Sequence, residues 1–169
     1  MWIQDTGQRR KMRLTKMTVL SLALFATMCA ADQFEGMWKL NLAKSTPSQA
    51  AAPERAIIEQ TSHIEETAEQ NTVTVKGTRK DGSTISQKFT VAPQGGPIHY
   101  LEGAPPAGVS VISKRINDTT VDFSFERDGK EIQTQHNEII DGGKTMRITF
   151  TGTDAQGKPV HNVTVWDRQ

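Results

Sequence analysis

The sequence predicts an all-β protein whose antiparallel strands run up and down until they close as a barrel of eight to ten strands. Three observations carry that prediction. Turn signals at Asn117-Asp118, Asp128-Gly129, Asp141-Gly142 and Gln156-Gly157 recur at intervals of 11, 13 and 15 residues. The segments between them are rich in Val, Ile, Thr and Phe and place an apolar residue at every second position. No helix-length apolar pattern of period 3.6 follows the N-terminal segment. Strands joined by tight turns need no helices, and closure into a barrel removes exposed edges that would otherwise pair with other chains.

Each element follows from its own residues. Phe34 to Leu42 reads as a first strand anchored by Trp38, and Ala43 to Pro53, rich in Ser, Ala, Gln and Pro, as a surface loop. Arg55 to Gln60 and Ser62 to Ala68 read as two strands or one bent strand, with a short helix around Glu65, Glu66 and Glu69 as the competing reading. Lys80-Asp81-Gly82-Ser83 joins Thr72–Thr78 to Thr84–Val91 as a hairpin. Val73 and Val75 share one face of the first arm; Ile85, Gln87, Phe89 and Val91 share one face of the second. Between the Gly/Pro clusters of Pro93 to Gly108, the residues Ile98 to Leu101 form a short strand or a lid. Val109 to Ile116 opens the terminal meander. Val121, Phe123 and Phe125 then alternate cleanly with polar neighbours, and Ile132 to Ile139 is more polar, as a strand with one wet face would be. Met146, Ile148 and Phe150 oppose Thr145, Arg147 and Thr149. In the last strand either Val163 and Val165 or Asn162, Thr164 and Trp166 face inward.

The first 31 residues stand apart. Arg9, Arg10, Lys11, Arg13 and Lys16 precede an apolar run from Met17 to about Met28, then the small residues Ala30 and Ala31. That series predicts a secretory signal peptide over residues 1–31, cleaved near Ala31, and one barrel domain over 32–169. The run falls short of the roughly 20 apolar residues of a stable membrane span. Met28 is too large for the residue before a lipidated cysteine, which argues against anchoring at Cys29. The whole chain carries a formal charge of +1; without residues 1–31, which hold five basic residues and Asp5, it becomes −3. Nothing in that balance suggests a nucleic-acid surface. The single Cys leaves with the signal, so an exported mature chain has no disulfide and relies on its core. The expected location is secreted or periplasmic.

Gly36 and Trp38, directly after the signal, resemble the Gly-x-Trp opening of lipocalins. The run from Gly36 to Ser45, together with Ser113–Ile116, Arg127–Lys130 and Thr149–Val160, is similar to secreted bacterial lipocalin-like proteins of mostly unknown function. The resemblance implies an up-and-down barrel, partly closed at one end, with the motif tryptophan across its base beneath an arginine from a late strand. Arg147 and Arg168 are the candidates for that arginine. Closure independently requires the first and last strands to pair, which brings Gly36 and Trp38 to Trp166.

A barrel of this size can hold one small ligand. The expected lining is Phe89, Tyr100, Phe123, Phe125, Met146 and Phe150, with Arg115, Arg127 or Arg147 as a fork for a ligand carboxylate. The competing reading is a dry core filled by those aromatics, with the arginines outside, in a structural or protein-interaction module whose partners the sequence does not name. Catalysis is not expected. His63, His99, His136 and His161 are scattered without metal-ligand spacing, adjacent acids such as Glu65-Glu66 point to opposite faces of a strand, and no Gly-x-Ser-x-Gly elbow is present. Gly95-Gly96 and Gly142-Gly143 open no helix and make no phosphate cradle. No cofactor and no metal are expected. The predicted function is binding of a small apolar or amphipathic molecule.

Overall fold

The computed structural model describes residues 32–46, 53–153 and 157–169. The expected signal segment with Cys29, residues 47–52 of the predicted loop and the turn residue Gln156 lie outside the described residues. The strands are β1 (Gly36–Leu40), β2 (Ile57–Glu66), β3 (Asn71–Arg79), β4 (Thr84–Val91), β5 (Gly95–Pro97), β6 (His99–Glu102), β7 (Val109–Asn117), β8 (Thr120–Arg127), β9 (Lys130–Ile140), β10 (Thr145–Thr153) and β11 (Pro159–Arg168).

They form one antiparallel sheet in the order β5-β7-β8-β9-β10-β11-β1-β2-β3-β4-β6. Its two outer strands, β5 and β6, are neighbours in the chain with only Ile98 between them. Gly95 to Pro97 bonds to β7 and His99 to Glu102 bonds to β4, so one short stretch closes the ring from both sides. The Ile98 amide continues the seam by donating to the Val111 carbonyl at 3.0 Å. With β5 and β6 counted as one stave, the barrel has ten, within the predicted range. Ile98 to Leu101 is therefore wall and not lid: Leu101 is 63% exposed on the outside and Tyr100 turns inward.

The turns at residues 80–83, 103–108 and 128–129 gather at one end, the mouth. Residues 32–35, 67–70, 118–119 and 141–144 gather at the other, the base. Eight strands enclose a space that side chains just fill, and ten enclose more. The buried core accordingly collects at the base, from Phe34, Trp38, Leu40, Ile64, Ile139, Met146 and Trp166.

The barrel ends meet there as closure requires. β1 pairs with β11, setting Trp38 opposite Arg168 and Leu40 opposite Trp166. Trp38 is fully buried, and its indole N–H donates to the Phe34 carbonyl at 2.8 Å. The Arg168 guanidinium lies 4.2 Å over the Trp38 ring and donates to the Gly143 carbonyl at 2.6 Å and to the carbonyls of Gln33 and Glu35. Of the two arginines the resemblance offered, Arg168 takes the place beside the tryptophan. Gly36 makes room for it: its φ is +121°, and a Cβ would stand 2.9 Å from the Arg168 Nη1.

Three local alternatives are resolved. Residues 57–66 form one strand with a register shift between Ile57 and Glu59. The helix considered around Glu65 to Glu69 is replaced by a turn in which the Thr67 hydroxyl accepts from the amides of Glu69 and Gln70. Register sets Asn162, Thr164 and Trp166 opposite the inward Phe150, Ile148 and Met146, so Val163 and Val165 face out.

Arg168→Ala removes the ring contact and three charge-assisted bonds at once. It is expected to cost about 2–4 kcal/mol, with Arg168→Lys recovering only part of it because an ammonium cannot reproduce the fork. Urea unfolding followed by tryptophan fluorescence checks this; a loss below about 0.5 kcal/mol would contradict the clamp.

Candidate functional site

The space the side chains leave is a cavity of about 830 Å³ inside the barrel. Alternation along each strand decides who lines it. From β8 come Val121, Phe123 and Phe125; from β10, Met146, Ile148 and Phe150; from β4, Gln87, Phe89 and Val91. Register aligns these into rows around the wall, such as Phe123–Gln135–Phe150 and Val121–Asn137–Ile148. The rings of Phe125 and Phe150 meet edge to face at 5.4 Å, and Phe89 and Tyr100 meet across the seam at 5.6 Å.

The predicted lining residues Phe89, Tyr100, Phe123, Phe125, Met146 and Phe150 all border this cavity, as does Arg127. Arg127 sits at the mouth opposite Val109, exposed, with no carboxylate partner among the described residues. Arg147 does not border the cavity. It follows the inward Met146 by one residue, so the strand turns it outward, where it donates to Glu138 at 2.5 Å. The expectation of Arg147 as a ligand anchor or base arginine is corrected by that parity.

Arg115 borders the cavity at the base, but its charge is already committed. Its guanidinium donates to both Asp32 carboxylate oxygens, at 2.5 and 2.9 Å, and to the backbone carbonyls of Asn117 and Asp118. Asp32 leaves 4% of its side chain exposed and Arg115 15%. The hydrogen bond to Asp32 raises the already high pKa of the guanidinium. Phe34 lies beneath it, 5.3 Å from ring centre to guanidinium carbon. Asp32 also receives a bond from the Phe34 amide, and its own amide donates to Glu66 at 3.0 Å. Residues 32–35 are thus a stopper in the base, and Arg115 holds the stopper and not a ligand. Sequence reasoning missed Asp32 because it abuts the expected signal segment and belongs to no strand.

Sequence reasoning also missed the amides. β9 turns Gln133, Gln135 and Asn137 into the lumen at successive inward positions, and Gln60, Asn71 and Gln87 join them from the opposite wall. Both faces of this strand are polar: Thr134 and His136 are exposed outside, and Gln133, Gln135 and Asn137 line the lumen. Three of the glutamines lie against glycines, Gly77 and Gly152 in neighbouring strands and Gly103 just after β6. A Cβ on Gly77, Gly103 or Gly152 would stand 3.1, 2.9 and 2.4 Å from the Cγ of Gln60, Gln87 and Gln133 respectively. At Gly77 and Gly103 a Cβ would first meet the backbone carbonyls of Glu59 and Ser86, at 2.6 and 2.2 Å, so these glycines also serve the close approach of the two backbones.

The hydrogen bonds hold the Gln87, Gln133 and Gln135 amides while spending one of the two Nε2 hydrogens of each. Gln87 donates Nε2 to the Gly103 carbonyl at 3.2 Å, and Gln133 donates Nε2 to the Thr153 carbonyl at 3.5 Å. Gln135 donates Nε2 to Asn137 Oδ1 at 2.8 Å. Their carbonyl oxygens accept no bond among the described residues. Asn71, 8% exposed, has its Oδ1 buried without a partner. An amide sealed without partners costs about 1–3 kcal/mol, whereas a buried methylene returns about 0.8 kcal/mol. Occupants that cannot satisfy these groups therefore forfeit much of what their apolar surface supplies. Tyr100 adds a neutral hydroxyl, its pKa pushed up by burial. Among the described residues, no histidine or carboxylate borders the cavity, and no group of three or more His, Cys, Asp or Glu could hold a metal ion.

No protein-family model and no curated protein sequence matches this chain. Solved structures with a similar course of the backbone include EF1p2_mFAP2b bound to DFHBI, at 12% identity and a TM-score of 0.44, over 83% of this chain and 97% of that one. Lobster apocrustacyanin A1 is similar at 11% identity and a TM-score of 0.41, over 83% of this chain and 63% of that one. The fold of this chain is a lipocalin-like barrel in its up-and-down strand order and near closure.

Asp32→Asn should cost about 3 kcal/mol by leaving a largely buried guanidinium unpaired. The double variant Asp32→Asn/Arg115→Met should recover at least about 1 kcal/mol of the summed single losses. Additive losses in denaturant unfolding would show that the pair does not act as a unit.

Proposed function

We propose that this protein is an exported carrier or receptor barrel that holds one small amphipathic or apolar molecule in its lumen and performs no chemistry on it. The observation that carries the reading is the cavity itself, about 830 Å³, within the range that takes a small organic ligand. The base is stopped by residues 32–35 and the clamp around Trp38, so entry is from the mouth. Apolar contact supplies the driving force, about 25 cal/mol per Å² buried. The polar lining then sets orientation, and an anionic end would rest near Arg127 at the rim.

The alternative, a structural module whose own side chains fill the barrel, requires a solid interior, and the hollow one argues against it. A binding role is also supported over a catalytic one by the lining, where aromatics and amides supply no paired acid and base. Export rests on the basic, apolar and small-residue series of residues 1–31. N-terminal sequencing of protein recovered from cell fractions tests it, with a start at or beside Asp32 expected.

Solvent extraction of the purified protein followed by mass spectrometry is expected to yield a reproducible small molecule. Phe150→Arg, which drives a charged chain into the lumen, should abolish uptake while Arg147→Ala on the outer face leaves it unchanged. Repeated empty extracts with no uptake of any apolar or amphipathic probe would overturn the binding reading.

A further inference from the structure

We infer that proteolytic removal of residues 1–31 completes the base of the barrel: the α-ammonium freed on Asp32 pairs with the Glu66 carboxylate, and the cut falls between Ala31 and Asp32. This rests on the export reading and specifies what processing does to the fold.

Every polar atom of Asp32 already has a place in the base. Its two carboxylate oxygens take the Arg115 fork, and Oδ1 also accepts from the Phe34 amide. Its carbonyl accepts from the Glu35 amide at 3.1 Å. Its nitrogen, the atom that processing frees, donates to Glu66 Oε2 at 3.0 Å. That separation serves an ammonium facing a carboxylate as well as it serves an amide. The nitrogen can therefore become the N-terminus without leaving its seat.

Charge points to the same cut. Asp32, Asp118 and Glu66 all act on the Arg115 guanidinium, so three carboxylates surround one cation. Asp32 is held by that cation, whereas Glu66 makes no ion pair with a side chain among the described residues. An amide at Asp32 gives Glu66 a hydrogen bond but no counter-charge. Hydrolysis of the Ala31–Asp32 peptide bond by a signal peptidase consumes one water, whose hydroxyl goes to the Ala31 acyl carbon and whose proton goes to the Asp32 nitrogen. The resulting amine takes up a further proton at neutral pH, and Glu66 gains the charge it lacks. A cut one residue earlier leaves an amide at Asp32. A cut one residue later removes Asp32 and strands a largely buried guanidinium.

The full chain expressed for export in a bacterial host tests this, with the recovered protein defined by intact mass and N-terminal sequence. It should begin at Asp32. Its α-amine, titrated by NMR, should show a pKa higher by about half a unit than in the Glu66→Gln protein. Selective acetylation of that amine should lower the thermal unfolding midpoint of the unaltered protein by more than it lowers that of Glu66→Gln. Glu66 is exposed at the end of β2, and acetylation of the unaltered sequence gives a reading even where the variant fails to fold. A processed protein that starts at another residue overturns the inference while export stands. So does an α-amine that titrates alike with and without Glu66, or acetylation that leaves the unaltered protein's midpoint in place. Protein recovered only with residues 1–31 attached overturns the inference and the export reading together.

Discussion

The stacking of Arg168 on Trp38 locks the place where the first strand pairs with the last and the barrel closes. Around it the base is tied in several directions, because the same guanidinium reaches the carbonyls of Gln33, Glu35 and Gly143. Asp32 and Arg115 repeat the arrangement a few residues away, with Phe34 under the second guanidinium. A ten-stave ring cannot be filled by its own side chains. Its stability must then come from a closed ladder of backbone hydrogen bonds and from one well-packed end. This barrel concentrates its core at the base and leaves the rest of its interior as lining.

That division of labour explains the character of the lumen. Where side chains are not needed to pack against one another, the inward positions are free to be polar, and β9 fills three in succession with amides. Gly152 carries the same logic into β10, where a Cβ would stand 2.4 Å from the Cγ of Gln133. Stability from the base and selectivity from the walls are separable, so substitutions near the mouth should alter recognition more than folding.

Much of the fold was legible because antiparallel strands advertise themselves locally. Asp128-Gly129 and Asp141-Gly142 mark two connections of the meander, and the alternation of Val121, Phe123 and Phe125 fixes which face of β8 is inside. Trp38 announced the closing contact through its place at the head of the first strand. Period-two alternation also contained the correction of Arg147. A residue between Met146 and Ile148 cannot share their face, and its choice as an anchor set chemical suitability above geometry. The amides were hidden for a different reason. A polar inward face and a polar outward face look alike in sequence, and only register against Phe123 and Phe150 shows which way Gln133 and Gln135 turn. Asp32 was hidden because its role depends on Arg115, 83 residues away in the chain.

An open, polar lumen above a sealed base has a direct physical signature in solution. Nuclear Overhauser contacts between water and the side-chain amide protons of Gln133, Gln135 and Asn137 measure it in the ligand-free protein. An open barrel predicts water contacts at all three, with none at the indole proton of Trp38 behind the base. Amide protons that instead meet aliphatic protons of the opposite wall, with no water between, would show a collapsed interior and contradict a binding lumen.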